Sequence, residues 1–394
     1  MARTPRTRQS SGPSRWRSTA SLLCATALVV AACATDDDPP PEPTEASAEE
    51  PDEPDETRTT EEGLAAAQEL VDTAMAPITE WAGPTSAPPL LEEITIGVVN
   101  CAEFVEGCSR QSDGIDEAAE LIGWEVIRIN GELDPTVWSE AVNSLVSQGV
   151  DAIVLNSIYA GAIGDSVENA VTNDIPVITS FSGDPTPWGG LTELKIDNYE
   201  AGQAAGAYMI VEGGGNLAIF DHNENPEVAL RAEGVRDIFA ELAPDDTGIA
   251  FDEFIPGAQI GSPLEEQASA MLQSNPEGSV QWVFGGFDAI LTSVVRAVER
   301  AGRDEIRGIA YDANLENLNF IREGSIQTAT IGYPLEWAGW ALVDELNRHL
   351  QGEPINEPYI GYRLITEDNL PPEGETWQGD YDFRSEYRQL WGLD

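Results

Sequence analysis

Ile94-Thr95-Ile96-Gly97-Val98-Val99-Asn100 is a short apolar run, rich in β-branched residues and closed by an amide. A run of this length and composition reads as a strand buried on both faces. Downstream, Ile115, Ala118, Ala119 and Ile122 recur at helical spacing, which predicts a helix over 112–123. The alternation then continues. Strands are predicted at 125–130, 152–156 and 176–180, with helices at 135–148 and 161–172 between them. Asp134-Pro135 opens the first of these helices as N-cap and first helical residue. A second series places strands at 194–197, 216–221, 249–255, 282–285, 308–312, 326–332 and 360–366. Its helices fall at 199–211, 226–242, 263–274, 289–301, 315–323 and 335–350. Strict alternation implies parallel sheets covered by helices on both faces. The strands are too many for one compact sheet. The predicted fold class is therefore α/β, with two doubly wound parallel-sheet lobes.

Ligands of open parallel sheets bind beyond the carboxyl ends of the strands. Phe104 and the cysteines Cys101 and Cys108 follow the first strand, and Asn156 ends the third. Phe181 follows the fourth, and Asp221 ends a strand of the second series beside His222 and Glu224. Phe287, Asp288, Asp312 and Tyr333 stand at later strand ends. Acids, amides and rings together suit a neutral polyhydroxylated ligand. Carboxylates and amides take hydroxyls, and rings stack on apolar sugar faces. These eight positions are the candidate ligand-binding residues: Phe104, Asn156, Phe181, Asp221, and then Phe287, Asp288, Asp312, Tyr333. The rings could equally be core or hinge packing, and Asp312 could cap the helix that follows it.

Upstream of the first strand the chain has another character. Residues 1–19 hold five arginines and no acid, and an apolar run follows over 20–32. That run is too short to span a bilayer comfortably but suits the core of a signal peptide. It ends Val30-Ala31-Ala32-Cys33, which resembles a bacterial lipobox; in such signals the cysteine is lipidated and becomes the mature N-terminus. The segments expected are a signal peptide over 1–32 and an acidic, proline-rich tether over 33–62. A short amphipathic helix and linker fill 63–93. The tether is too polar to offset its own ordering entropy, and its charges repel. The expected location is the outer face of the cytoplasmic membrane, held there by lipid.

The chain has 394 residues, with 70 acidic against 20 basic and a formal charge of −50. Loss of the five leader arginines leaves 15 basic against 70 acidic, a net of −55. No nucleic acid is expected as a partner, because phosphate backbones need a basic surface. Lys195 is the only lysine. Such a balance fits either a high-salt habitat or an arginine-preferring genome with an acidic surface. Cys101 and Cys108 remain after the leader and Cys33 are set aside, and a disulfide between them suits an exported protein. Two histidines leave little for a metal site, and Asp312-Ala313-Asn314 lacks the glycine and closing acid of a calcium loop. No metal and no cofactor are expected. Nucleophile elbow, Walker loop, GxGxxG and HExxH are all absent from the sequence, and no enzymatic activity is expected.

Several segments between 94 and 366 carry a resemblance to a known family. Asp113-Gly114 leads a helix that ends Leu121-Ile122-Gly123-Trp124. Gly149-Val150-Asp151-Ala152-Ile153 and Asn173-Asp174-Ile175-Pro176-Val177-Ile178 each run into a strand. Asp197-Asn198-Tyr199-Glu200-Ala201-Gly202 and Arg231-Ala232-Glu233-Gly234-Val235 follow in the second series. In order and spacing these resemble the type I periplasmic binding proteins, the ribose- or sugar-binding class that serves ABC importers. The flanks, Trp81-Ala82-Gly83-Pro84-Thr85 and Tyr387 with Trp391-Gly392, resemble a subgroup of sugar-type binding lipoproteins.

The resemblance implies a three-segment hinge near Asn198, Tyr333 and Gly361. The first lobe would be 94–198 plus 334–361, the second 199–332 plus 362–372, and 373–394 a C-terminal extension. It also implies a monomer whose partners are a small sugar-like molecule and an ABC permease. The expected function is capture of a small neutral sugar or polyol between the lobes for delivery to that permease. The alternatives are a nucleoside or other flat ligand, or a sensory partner. Ribose-type contacts do not all transfer. The arginine that reaches the sugar aligns with Ala229, and Arg231 matches a structural arginine of the motif. An asparagine aligns with Phe287 and a hinge glutamine with Tyr333. The expected ligand is therefore flatter or more apolar than ribose, and not an anion.

Overall fold

The computed structural model describes residues 60–243, 247–356 and 360–393. The expected signal peptide, Cys33 and nearly all of the tether lie outside the described residues.

Helix α1 (Thr60–Met75) comes first. It is followed by β1 (Thr95–Asn100), α2 (Glu106–Ile122), β2 (Glu125–Asn130), α3 (Pro135–Gln148) and β3 (Ala152–Asn156). Then come α4 (Gly164–Thr172), β4 (Val177–Ser180) and β5 (Glu193–Leu194). These strands form one parallel sheet in the order β2-β1-β3-β4-β5. The interior strands β1, β3 and β4 are buried nearly end to end, as their unbroken apolar runs require.

A second sheet repeats the plan. Its elements are α5 (Asn198–Val211), β6 (Leu217–Asp221), α6 (Pro226–Leu242), β7 (Ile249–Phe254), α7 (Ser262–Ser274) and β8 (Trp282–Gly285). They continue with α8 (Asp288–Ala301), β9 (Arg307–Asp312), α9 (Leu315–Glu323) and β10 (Gln327–Gly332). The order β7-β6-β8-β9-β10 matches that of the first sheet. Each sheet therefore has one switch point, between β1 and β3 in the first and between β6 and β8 in the second. A crevice outside the strand ends at such a point is where ligands bind. Helix α10 (Leu335–His349) leaves the second sheet to pack on α2, and β11 (Arg363–Thr366) returns to pair antiparallel with β10.

Several predicted boundaries move: the helix expected at 161–172 starts at Gly164 behind a 3-10 turn, and the strand expected at 360–366 starts at Arg363. The strand expected at 194–197 ends at Leu194, because Asp197 caps α5, its Oδ1 accepting from the amide of Glu200 at 2.9 Å. Helix α2 begins at Glu106 rather than at residue 112, so Gly107 and Cys108 lie in its first turn. The C-terminal extension holds α11 (Phe383–Leu390), which lies on α10. There Trp340 stacks on Trp391 at 5.3 Å, and Trp81 meets Trp337 and the edge of Tyr387. Leu91 is tied to the same helix, its amide donating to Asn347 Oδ1 at 3.1 Å.

A cleft between two sheets of strand ends

The carboxyl ends of both sheets face one cleft with about 780 Å³ of space free of protein atoms, part of it open to solvent. Ser157 follows β3, Phe181 follows β4, and Asp312 ends β9. All three hold positive φ, at 54°, 52° and 99°, and Ala313 follows at 51°. Non-glycine residues in that region are strained and cluster where a site demands it. Here the turn aims each strand-end side chain into the cleft.

Asp312 and Arg231 form the polar floor. Arg231 Nη1 stands 3.7 Å from Asp312 Oδ1 and donates to the carbonyl of Gly286 at 2.9 Å. Its Nε donates to Asn198 Oδ1, and its guanidinium lies over the rings of Tyr311 and Tyr333, 4.6 and 5.1 Å from their centroids. Burial pushes the Asp312 carboxyl up, and Arg231 and Arg110 draw it part of the way back. Asp312 does not cap α9, whose N-cap residue is Asn314.

The same sheet also brings His222, Glu224 and Asn225 to the cleft beyond β6. His222 Nδ1 is 2.9 Å from the carbonyl of Ile255. Burial pushes the imidazole below its ordinary value, so it is neutral at pH 7. The Nδ1 hydrogen then goes to Ile255, and Nε2 is left as an acceptor. Phe287 meets the His222 ring edge-on at 5.4 Å. Phe181 and Tyr333 stack at 6.4 Å, one after each sheet's strands.

The two layers are latched across the cleft. Asn225 Nδ2 donates to the carbonyl of Phe181 at 3.0 Å, and Glu106 Oε1 accepts from the amide of Leu315 at 2.8 Å. Arg110 Nη1 donates to the carbonyl of Asp312 at 2.8 Å. A Cβ on Gly107 would stand 2.9 Å from Asp312 Oδ2, so only glycine permits this approach.

Of the eight candidate ligand-binding residues, Phe181, Phe287, Asp312 and Tyr333 line the cleft. The others do not. Phe104 is 61% exposed and outside the lining. Asn156 is fully buried, its Nδ2 donating to the carbonyl of Cys108 at 2.7 Å and to Ser112 Oγ at 2.8 Å. Asp221 pairs with Arg236 at 2.9 Å. Asp288 lies beneath the floor and accepts from the amide of Asn314 at 2.8 Å; burial first, then the charge of Asp312, pushes its carboxyl well up. The sulfurs of Cys101 and Cys108 are at bonding distance, with Cα atoms 6.0 Å apart, and both residues line the cleft. Arg231, treated from sequence as structural, lines it too. So do Leu133 and Trp138, which follow β2 and were not singled out at all. Among the described residues no group of His, Cys, Asp and Glu could hold a metal ion.

Two matching parallel sheets that face each other across a cleft of strand ends define a solute-binding architecture. The chain belongs to the periplasmic binding protein domain family, whose model matches residues 96–354, and it has the type I arrangement. The family comprises solute-binding proteins, not enzymes, and works outside the cytoplasm. The chain is 25% identical over 288 residues to the ribose import binding protein of Bacillus subtilis, a match covering 71% of this chain and 88% of that protein. It is 24% identical over 298 residues to the xylitol-binding protein of Mycolicibacterium smegmatis, covering 73% and 81%. The fold is also that of a sugar ABC transporter structure from Yersinia enterocolitica, with a TM-score of 0.66 and 18% identity over 79% of this chain and 99% of that one.

Proposed function

We propose that this protein is a lipid-anchored solute receptor that captures a small neutral sugar or polyol and delivers it to an ABC permease. The observation that carries the reading is the floor of the cleft. Asp312 and Arg231 offer acceptor and donor side by side, between rings contributed by both layers. A carboxylate beside a guanidinium binds hydroxyls in pairs, and stacked rings accept the apolar face of a sugar. The pair also neutralises itself, which favours an uncharged ligand over an anion.

The two lobes, 94–198 with 334–361 and 199–332 with 362–372, move about the segments near Asn198, Tyr333 and Gly361. Closure forms the Asn225 and Glu106 latches. Phe181, Phe287, Asp312 and Tyr333 contact the ligand, and Arg231 joins them. The Cys101–Cys108 disulfide forms after export and fixes the first turn of α2. Cys33 carries the lipid, the acidic tether spaces a monomeric binding domain from the membrane, and the permease meets the closed form. The sugar relatives and the family membership support the ligand class and the partner.

A thermal-shift screen of the chain from Ala34 onward tests this, with pentoses, hexoses, polyols, nucleosides and small aromatics in low and high salt. A ligand at 100 times its dissociation constant stabilises by about 2.7 kcal/mol, a shift of a few degrees. Hits among sugars or polyols are expected. Hits confined to nucleosides or flat aromatics would replace the ligand class. Silence across the panel from a folded sample would remove the sugar reading.

A further inference from the structure

The two walls of the cleft differ in chemistry. The wall built on the first sheet presents Val105, Leu133, Trp138, Phe181 and the Cys101–Cys108 pair. Among the described residues it carries no carboxylate, guanidinium, amine or imidazole, and only Ser157 and Tyr159 bring hydroxyls. The wall built on the second sheet carries Arg231, Asp312, His222, Glu224 and Asn225. Every charged group that lines the cleft is therefore on one side.

The other polar groups at the strand ends of the first sheet are turned away. The Asn156 amide is held by Asn100, Cys108 and Ser112 at 3.1, 2.7 and 2.8 Å. Asn130 Oδ1 accepts from the amide of Glu103 at 2.9 Å, and the Glu103 carboxylate pairs with Arg128 at 2.7 Å. Trp138 Nε1 donates to the carbonyl of Cys101 at 3.2 Å, so the indole offers the cleft only ring carbons. The amides of Ser182 and Gly183 go to Glu193 Oε1, at 2.7 and 2.5 Å.

A sugar hydroxylated on every edge would turn some hydroxyls toward this wall and find too few partners there. A buried hydroxyl without a partner is costly, and a methyl or methylene in the same place is favourable. We propose that the ligand is a neutral sugar or polyol with one apolar edge, deoxygenated or O-methylated. That edge lies on Leu133, Trp138 and the disulfide, and the hydroxylated edge meets Arg231 and Asp312. This rests on the sugar-receptor reading above and narrows it.

The test is isothermal titration of the chain from Ala34 onward with matched pairs: L-rhamnose against L-mannose, L-fucose against L-galactose, and an O-methyl inositol against myo-inositol. One substituent in a hydrophobic pocket changes affinity by about tenfold or more. The expected result is that the deoxy or methylated member binds at least about tenfold tighter in every pair that binds. Equal or tighter binding of the parent sugars overturns this inference and leaves the sugar-receptor reading standing. No binding of either member of any pair by the folded chain overturns this inference, and overturns the sugar-receptor reading as well only if the thermal-shift panel is also silent. Leu133→Asn supplies a second readout. Leu133 is only partly buried, and its φ of 52° suits asparagine, so the variant folds. It is expected to narrow the ratio within a pair to about threefold or less. An unchanged ratio would overturn the assigned wall.

Discussion

Two groups of aromatic rings show opposite uses of one side-chain type. At the back of the molecule Trp340, Trp391, Tyr387 and Phe383 pack on one another where α11 lies on α10, all of them nearly or fully buried. Their faces are covered by protein, and they are core. At the front Phe181 and Tyr333 are as deeply buried by fraction, at 5% and 1% exposure, but both line the cleft. Polar ties hold them. Tyr333 Oη donates to Asn198 Oδ1 at 3.2 Å, and the Phe181 carbonyl accepts from Asn225. Just beyond Phe181, Glu193 Oε1 takes two successive backbone amides. Phe181 and Tyr333 also stack on each other, so what separates them from the rear rings is their place at strand ends lining the cleft. Burial alone does not separate core from site.

The sharpest break between the groups is Trp340→Ala. Removing a fully packed indole is expected to cost about 3–5 kcal/mol in denaturant unfolding and to leave the ligand preference of the folded protein intact. A change of preference without loss of stability would erase the distinction.

Glu193 comes next. Burial first, aided by the charge of Glu227, pushes its carboxyl from 4.5 up to about 7 against the pull of the Gly183 and Ser182 amides. The folded state thus holds the proton more tightly than the unfolded state. The stabilisation is complete below pH 4.5 and is lost as pH rises through about 7. Glu193→Gln is expected to flatten this slope, which amounts to about 3 kcal/mol at most. Unfolding curves between pH 4 and 8 measure it, and parallel curves for both proteins would contradict the assignment.

The smallest effect is at the latch. Asn225→Ala removes both the cap of α6 and the bond to Phe181 and is expected to cost about 1 kcal/mol each in stability and in ligand affinity. Loss of stability alone would make Asn225 a cap and nothing more.

The fold was legible because the hydrophobic pattern changes period between strand and helix, and buried parallel strands are unbroken apolar runs. Strands β2, β3 and β8 and helices α3, α6 and α9 stand where the pattern predicts them. The C-terminal helix α11 was not read, because its apolar residues, Phe383, Tyr387 and Leu390, are few among charged ones and make sense only against α10. The cleft was half legible. Strand-end position identified Phe181, Phe287, Asp312 and Tyr333, but it holds equally for Asn156, Asp221 and Asp288. Those three turn to partners the sequence cannot pair with them: Ser112 is 44 residues from Asn156, and Asp288 bonds the amide of Asn314, 26 residues away. Leu133 and Trp138 were missed because they follow β2, an edge strand without a fully buried run.

The central claim is that a neutral sugar or polyol binds between the two sheets on Asp312. Isothermal titration of the best sugar from the thermal screen against the native chain and Asp312→Asn tests it most directly. The account predicts one ligand per chain and an affinity about 10- to 100-fold weaker in the variant, whose fold is retained. Equal affinity in the two proteins would contradict it and place the ligand elsewhere.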